Sequence, residues 1–231
     1  MKALITGANR GIGLELTRQL LERGERVFAT CRNPTAATSL HDLSHDYPSQ
    51  VSIVKLDVSK QTSIDASFET ISELTDSLDL LINNAGIQLS DDHIGTLKTD
   101  EMVQTFVVNS IAPMLVCQRY LNLLQAGESP RIVNMSSRRG SLTWYEDNRL
   151  YTYSASKAAL NMMTKRLAVE TKAVGIITIL IHPGWVMTDM GGPRAQITKE
   201  ESVRGMLRVI DNLTMQDNGR FLGWDGKEVP W

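Results

Sequence analysis

Cysteine is nearly absent from these 231 residues. Cys31 and Cys117 stand alone, with no CxxC spacing and no histidine companion, so neither a disulfide framework nor a metal site is expected. No apolar run approaches the roughly 20 residues that a membrane helix needs. Nor does charge of one sign accumulate. Lys and Arg total 24 against 26 Asp and Glu, a formal charge of −2, and Arg138–Arg139 is only a local pair, which argues against nucleic acid as a partner. The opening MKALITGANRGIG runs directly into a strand and a glycine turn, leaving no room for the apolar core and cleavage site of a signal peptide. A soluble protein of the reducing cytoplasm fits these absences. Internal repeats, low-complexity tracts and Pro/Gly-rich linkers are missing too. The chain therefore reads as a single domain over 1–231, with 42% hydrophobic residues to build its core.

What is present is an alternation. Short β-rich runs at Lys2–Ile5, Arg26–Thr30, Val51–Leu56, Leu78–Ile82, Arg131–Met135, Ile176–Ile181 and Arg220–Leu222 are mostly apolar throughout, as strands covered on both faces require. Between them, Ile12, Leu16 and Leu20 share one helical face that Gly24 would stop, and further helices are expected over 61–75, 100–125, 153–172 and 199–212. The fold class that follows is α/β, a Rossmann-type doubly wound parallel sheet of about seven strands with helices on both faces. The least regular stretches are Gln88–Thr99, Arg138–Thr152 and Gly191–Thr198. In such a sheet they fall at the carboxyl ends of strands, where the ligand crevice lies, and are the candidate walls of a substrate pocket.

Thr6-Gly7-Ala8-Asn9-Arg10-Gly11-Ile12-Gly13 follows a strand and opens a helix. Its glycines permit a tight turn and a close approach of a pyrophosphate to backbone N–H groups at the positive end of that helix. A NAD-specific site would usually place an acidic residue at the end of the second strand, whereas this chain has Thr30-Cys31-Arg32-Asn33. Arg32, with Arg10 inside the turn, matches a ribose 2′-phosphate in charge and geometry, so NADP(H) is the expected cofactor. Asp57, ending the third strand, is placed to accept from the adenine amino group, with turn capping as its competing role.

Tyr153-Ser154-Ala155-Ser156-Lys157 sets a phenol and an ammonium one turn apart on one helical face. A neighbouring cation favours phenolate, so the lysine is expected to lower the tyrosine pKa toward the working range of an acid–base group. Alone the pair is a weak signal. With TGANRGIG, Asn83-Asn84-Ala85-Gly86, Asn109, Ile132-Val133-Asn134-Met135-Ser136-Ser137 and Pro183-Gly184-Trp185-Val186-Met187-Thr188 in order along the chain, the sequence resembles the short-chain dehydrogenase/reductase family, in its compact branch. The tail GRFLGWDGKEVPW and the stretch HPGWVMTDMGG look similar to C-factor-like proteins and animal carbonyl reductases.

That resemblance implies a catalytic set of Asn109, Ser137, Tyr153 and Lys157. Tyr153 would protonate the developing alkoxide, Ser137 would hydrogen-bond the substrate carbonyl, and Lys157 would hold the nicotinamide ribose and depress the tyrosine pKa. Asn109 would anchor a water leading protons to Lys157, with a polar residue simply satisfied inside a helix as the rival account. Ser136 is the rival hydroxyl, and Tyr151 a rival phenol that lacks a lysine four residues on. The cofactor set is Gly7, Asn9, Arg10, Gly11, Ile12, Gly13, Arg32, Asp57, Val58, Asn83, Ala85, Gly86, Tyr153, Lys157, Pro183, Gly184, Val186 and Thr188. Trp144, Trp185 and Met190 either line an apolar pocket or pack ordinarily, and His182 carries no role. The implied function is NADPH-linked reduction of a small-molecule aldehyde or ketone. A cofactor-binding signalling protein and a NAD-linked alcohol dehydrogenase are the alternatives. A homo-dimer or homo-tetramer through the helices at 100–125 and 153–172 is the expected assembly.

Overall fold

Strand residues alternate faces, and here each face finds a separate helical layer. A computed structural model of the chain describes residues 1–144 and 149–231, so Tyr145, Glu146 and Asp147 of the long segment before Tyr153 lie outside the described residues. In chain order the elements are β1 (Lys2–Thr6), α1 (Gly11–Glu22), β2 (Arg26–Cys31), α2 (Thr38–Asp46), β3 (Val51–Lys55), α3 (Gln61–Ser72), β4 (Leu80–Asn83), α4 (Thr99–Phe106), α5 (Ala112–Gln125), β5 (Arg131–Met135), α6 (Tyr151–Lys172), β6 (Ile177–His182), α7 (Lys199–Asp211) and β7 (Phe221–Gly223). The strands form one seven-stranded sheet in the order β3-β2-β1-β4-β5-β6-β7, every pair parallel. This is the Rossmann-type doubly wound α/β fold, and its order reverses between β1 and β4.

Ala3, Ile5, Val27, Ala29, Val133, Ile179 and Ile181 point to one face, where Leu16 and Leu20 of α1 and Val203, Met206 and Ile210 of α7 cover them. Leu4, Phe28, Leu81 and Ile132 point to the other, against Ile64 and Ile71 of α3 and Val116, Tyr120 and Leu124 of α5. Burying side chains of this size contributes roughly 1.5–3 kcal/mol each, which is why the near-continuous apolar runs became strands. Leu160 of α6 joins Leu180 and Phe221 in a smaller cluster at the β7 side. Gly24 ends the α1 turn with φ +81°, a left-handed conformation that suits glycine.

Two elements differ from expectation. The helix α2 fully buries only Leu40, with Leu43 and the following Tyr47 packed partly against the core, an apolar set too short to announce a helix. The stretch 100–125 is not one α-helix: a π-turn over Val107–Ile111 separates α4 from α5. Pro113 supplies a reason. It lacks the N–H that would close the ordinary bond onto the Asn109 carbonyl four residues back, and its ring crowds that carbonyl, so the helix widens there.

Candidate active site

Beyond the carboxyl ends of β1, β2, β4, β5 and β6 lies a crevice of about 250 Å³. At its β1 wall, Gly7 and Gly11 have φ +67° and +56°, and a Cβ on Gly13 would sit 2.3 Å from the Gly7 carbonyl oxygen and 2.5 Å from Asn84 Nδ2. The turn after β4 is locked to this one. Thr6 Oγ1 accepts from the backbone N–H groups of Asn84 (3.1 Å) and Ala85 (3.0 Å), while Asn84 Nδ2 donates to the carbonyls of Thr6 (2.9 Å) and Gly7 (3.2 Å). Asn84 was not among the expected residues. Its neighbour Asn83 was, but strand alternation turns that side chain away from the crevice, to donate to Asn134 Oδ1 at 2.8 Å.

Gly7, Asn9, Arg10, Gly11, Ile12, Gly13, Arg32, Asp57, Val58, Ala85, Gly86, Tyr153, Lys157, Pro183 and Thr188 all line the crevice, joined by Cys31. Gly184 and Val186 do not. Gly184 (φ +88°) packs so closely that a Cβ would meet Ile197 Cδ1 at 2.4 Å, and buried Val186 bridges to Ile197, so both shape the loop after β6 from behind. Arg10 forms an exposed ion pair with Asp189 of that loop at 3.0 Å. Asp57 Oδ1 accepts from Ser59 N (3.1 Å) and Ser59 Oγ (2.7 Å), so it does cap a turn. Burial works to raise the Asp57 pKa, but the Ser59 hydrogen bonds and the charges of Lys60 and Arg32 outweigh it and hold the carboxyl below its usual range.

The other end of the crevice is set by α6. Lys157 is buried and donates to the Met135 carbonyl at 2.8 Å; burial brings its pKa down to about 8. Its Nζ lies 5.8 Å from the centre of the Tyr153 ring. Tyr153 does not have the lowered pKa expected from YxxxK spacing. Burial raises it and prevails over the hydrogen bond with Ser137 and the nearby Arg139 charge, which act to lower it. The phenol is therefore held in its protonated, proton-donating form at neutral pH.

The two serines divide. Ser136 borders the crevice but its buried Oγ donates to Asn161 Oδ1 at 2.6 Å, whereas Ser137 lies outside the lining, its Oγ accepting from the Arg139 N–H at 3.2 Å and hydrogen-bonded to Tyr153. Asn161 then donates to the Gly140 carbonyl at 3.1 Å, and a Cβ on Gly140 would come within 2.8 Å of the Lys157 backbone. The segment carrying Ser137 is thus clasped to the helix carrying Tyr153 and Lys157. Asn161 gave no signal in the sequence, where it was one polar residue on a long helix. Asn109 lies behind the crevice: Oδ1 accepts from Ile87 N at 2.8 Å, and Nδ2 donates to Ile87 O at 2.9 Å and Ser156 Oγ at 3.1 Å. Its side chain is fully satisfied, which is the structural account raised for it. Only Gly86 separates it from the ammonium, since a Cβ there would be 3.5 Å from Asn109 Oδ1 and 3.7 Å from Lys157 Nζ.

Tyr151, Trp144, Trp185 and Met190 are substantially exposed, so none is core packing; Met190 lines the crevice, and the Trp185 indole donates to the Gly191 carbonyl at 2.8 Å. His182 is pushed down to about 4 by burial and has a partnerless Nδ1, which leaves it neutral. Among the described residues, no group of His, Cys, Asp and Glu is placed to hold a metal ion, and no helix is long and apolar enough to cross a membrane.

Over residues 1–199 the chain matches the family model for short chain dehydrogenases. It is 43% identical over 157 residues to C-signal of Myxococcus xanthus, a match covering 68% of this chain and 95% of that protein. Among solved structures it is similar to the NADPH-bound carbonyl reductase from chicken fatty liver, with TM-score 0.94, 38% identity and coverage of 100% and 98% of the two chains. It is likewise similar to the carbonyl reductase Sniffer of D. melanogaster, with TM-score 0.95, 34% identity and coverage of 100% and 99%.

Proposed function

Because the chain belongs to the short-chain dehydrogenase family, an oxidoreductase family, we propose that it reduces an aldehyde or ketone to an alcohol with NADPH, Tyr153 giving the proton. The observation that carries this reading is the meeting, at one crevice, of a half-buried phenol, a lysine one turn away and a glycine cradle. The cradle fits a dinucleotide: Gly11, Ile12 and Gly13, which open α1, line the crevice, and Gly13 has no room for a side chain. Bound NADPH supplies a hydride.

In this reading Gly7, Asn9, Gly11, Ile12 and Gly13 hold the pyrophosphate. Arg32 and Arg10 hold the 2′-phosphate, Arg10 exchanging Asp189 for it. Asp57 and Val58 border the adenine, and the backbones of Ala85 and Gly86 border the ribose, with Asn83 behind them. Pro183 and Thr188 form the wall on the nicotinamide side, with Gly184 and Val186 backing it against Ile197. Ser137 orients the substrate carbonyl, its oxygen already fixed by the Arg139 N–H. Tyr153 releases its proton to the forming alkoxide, a step that exposure to a second donor must then refill. Lys157, still largely charged at neutral pH, holds ribose hydroxyls and passes that proton on, with Asn109 behind it.

Purified Tyr153→Phe is expected to lose turnover across a carbonyl panel by about 100- to 10,000-fold while still binding NADPH. Turnover close to wild type would remove Tyr153 from this role. Tighter binding of NADH than of NADPH would overturn the cofactor assignment and favour NAD-linked oxidation. Likeness to C-signal favours a second reading, in which cofactor occupancy controls a signalling interaction. A catalytically dead Tyr153→Phe protein that rescues a deletion phenotype would favour it.

The same proposal takes residues 1–231 as one cofactor-binding and catalytic unit of the reducing cytoplasm. It also includes self-association through α4, α5 and α6, supported by the exposed Val103, Met162 and Val169 on α4 and α6; a single-copy mass by light scattering excludes that part.

A further inference from the structure

The helix that carries Tyr153 begins without a cap of its own. Leu150, the residue before it, offers no side-chain acceptor and has left-handed backbone angles, φ 59° and ψ 39°, which a leucine adopts only when its surroundings impose them. Both deficits are met from a loop 60 residues earlier in the chain. Asp92 is 3% exposed, and its carboxylate accepts from the Thr152 N–H at 3.1 and 3.3 Å and from the Thr152 hydroxyl. Its backbone carbonyl accepts from the Leu150 N–H at 2.8 Å, and its neighbour Asp91 pairs with Arg149.

We infer that Asp92 is a positioning residue for Tyr153, acting as an N-cap supplied by a distant loop of the same chain. Thr152 is the second residue of α6 and Tyr153 the third, so the phenol hangs from the very turn that Asp92 fastens. The carboxylate also meets the positive end of the helix dipole, where a negative charge is favoured. Lys157 has independent anchors one turn further in, namely the Met135 carbonyl and the close pack of Gly140. Releasing the cap therefore frees the phenol while the ammonium stays in place. Asp92 lies outside the lining of the crevice, so it acts through Thr152 and not on substrate or cofactor. The inference rests on Tyr153 as the proton donor.

The test compares Asp92→Ala, Asp92→Asn and Thr152→Val with Tyr153→Phe, well below each variant's melting temperature. Loss of placement at a reacting group costs up to about 100-fold in rate, so Asp92→Ala is expected to lower kcat about 10- to 100-fold with the NADPH Kd unchanged. Amide exchange at Thr152 and Tyr153 should quicken in the same protein. Asp92→Asn keeps an acceptor oxygen and should recover most of the rate. Folded Asp92→Ala with wild-type kcat overturns the inference, as does unchanged amide exchange. If Asp92→Ala does not fold, Thr152→Val carries the test, because it removes only the hydroxyl partner; it should lower kcat severalfold at constant NADPH Kd, and an unchanged kcat overturns the inference. Should Tyr153→Phe retain turnover, the proton-donor reading falls, while the exchange data still decide whether Asp92 holds the first turn of α6.

Discussion

At the β1 end of the crevice the chain works by leaving atoms out. Gly7 and Gly13 let Ala85, Asn84 and the Gly7 carbonyl pack where a side chain would stand, so that backbone lines the crevice, and the charged side chains there, Arg10 and Arg32, are exposed. At the β5 end it works by filling space with buried polar side chains that hold one another: Asn83 to Asn134 to Thr164, Ser136 to Asn161 to Gly140, and Asp92 to Thr152. In the proposed reading the first end holds a pyrophosphate by backbone shape, with Arg10 and Arg32 at its rim for the 2′-phosphate. The second must fix the directions of Ser137 and Tyr153 to within a fraction of an ångström, which demands a scaffold of satisfied hydrogen bonds. The difference teaches that binding and turnover in this molecule rest on separate supports and should be separable by substitution.

The largest test of that division is Asn161→Leu. It strands the Ser136 hydroxyl and the Gly140 carbonyl in the interior, and each buried unsatisfied group costs about 1–3 kcal/mol, so the expected loss of stability is about 2–6 kcal/mol. Denaturant melts should show that loss together with a fall in kcat, while calorimetric titration finds NADPH affinity little changed. Next comes Gly13→Ala, whose methyl group meets the Gly7 carbonyl. Overpacking of this kind costs about 1–3 kcal/mol, and the expected result is NADPH binding weakened about 10- to 100-fold. If both variants lowered the same quantity, the two ends would share one support after all.

The smallest effects lie in pH. Lys157 has its folded pKa depressed from 10.5 to about 8, so between those values the unfolded chain carries a proton that the folded chain lacks. Its contribution is present above about pH 10.5 and lost as pH falls through about 8. His182 does the same in acid, with a contribution present above pH 6.5 and lost as pH falls through about 4. Melting curves against pH should therefore flatten at the alkaline side in Lys157→Met and at the acid side in His182→Gln, each by on the order of 1–3 kcal/mol. Unchanged curves would mean that neither group is as desolvated as its position suggests.

The same contrast governs what could be read from the chain alone. Glycines in a strand–turn–helix setting and a YxxxK pair have few substitutes for what they do, so the cradle and the α6 pair were legible, as were the seven strands from their apolar runs. Asn84, Asn161 and Asp92 were not, since a lone Asn or Asp has the same local signature whether it caps a turn at the surface or braces a site 60 residues away. Helix α2 hid because its nine residues carry only two apolar positions, Leu40 and Leu43. The π-turn hid because the apolar rhythm of 100–125 runs on across it, with only Pro113 as a hint. The raised Tyr153 pKa was hidden as well, for spacing reveals a neighbouring charge but not the depth of burial that outweighs it.

The π-turn has one more effect. On a regular α-helix, consecutive side chains diverge by about 100° and cannot both address one neighbour. Across the widened turn they do: Asn109 Nδ2 donates to the Ser156 hydroxyl and Ser110 Oγ donates to the Ser156 carbonyl. The two helices are thereby indexed like a ratchet and its pawl. Sliding α6 by a single residue, about 1.5 Å, would break both bonds together, so the helix has one engaged position along its axis and no graded drift around it.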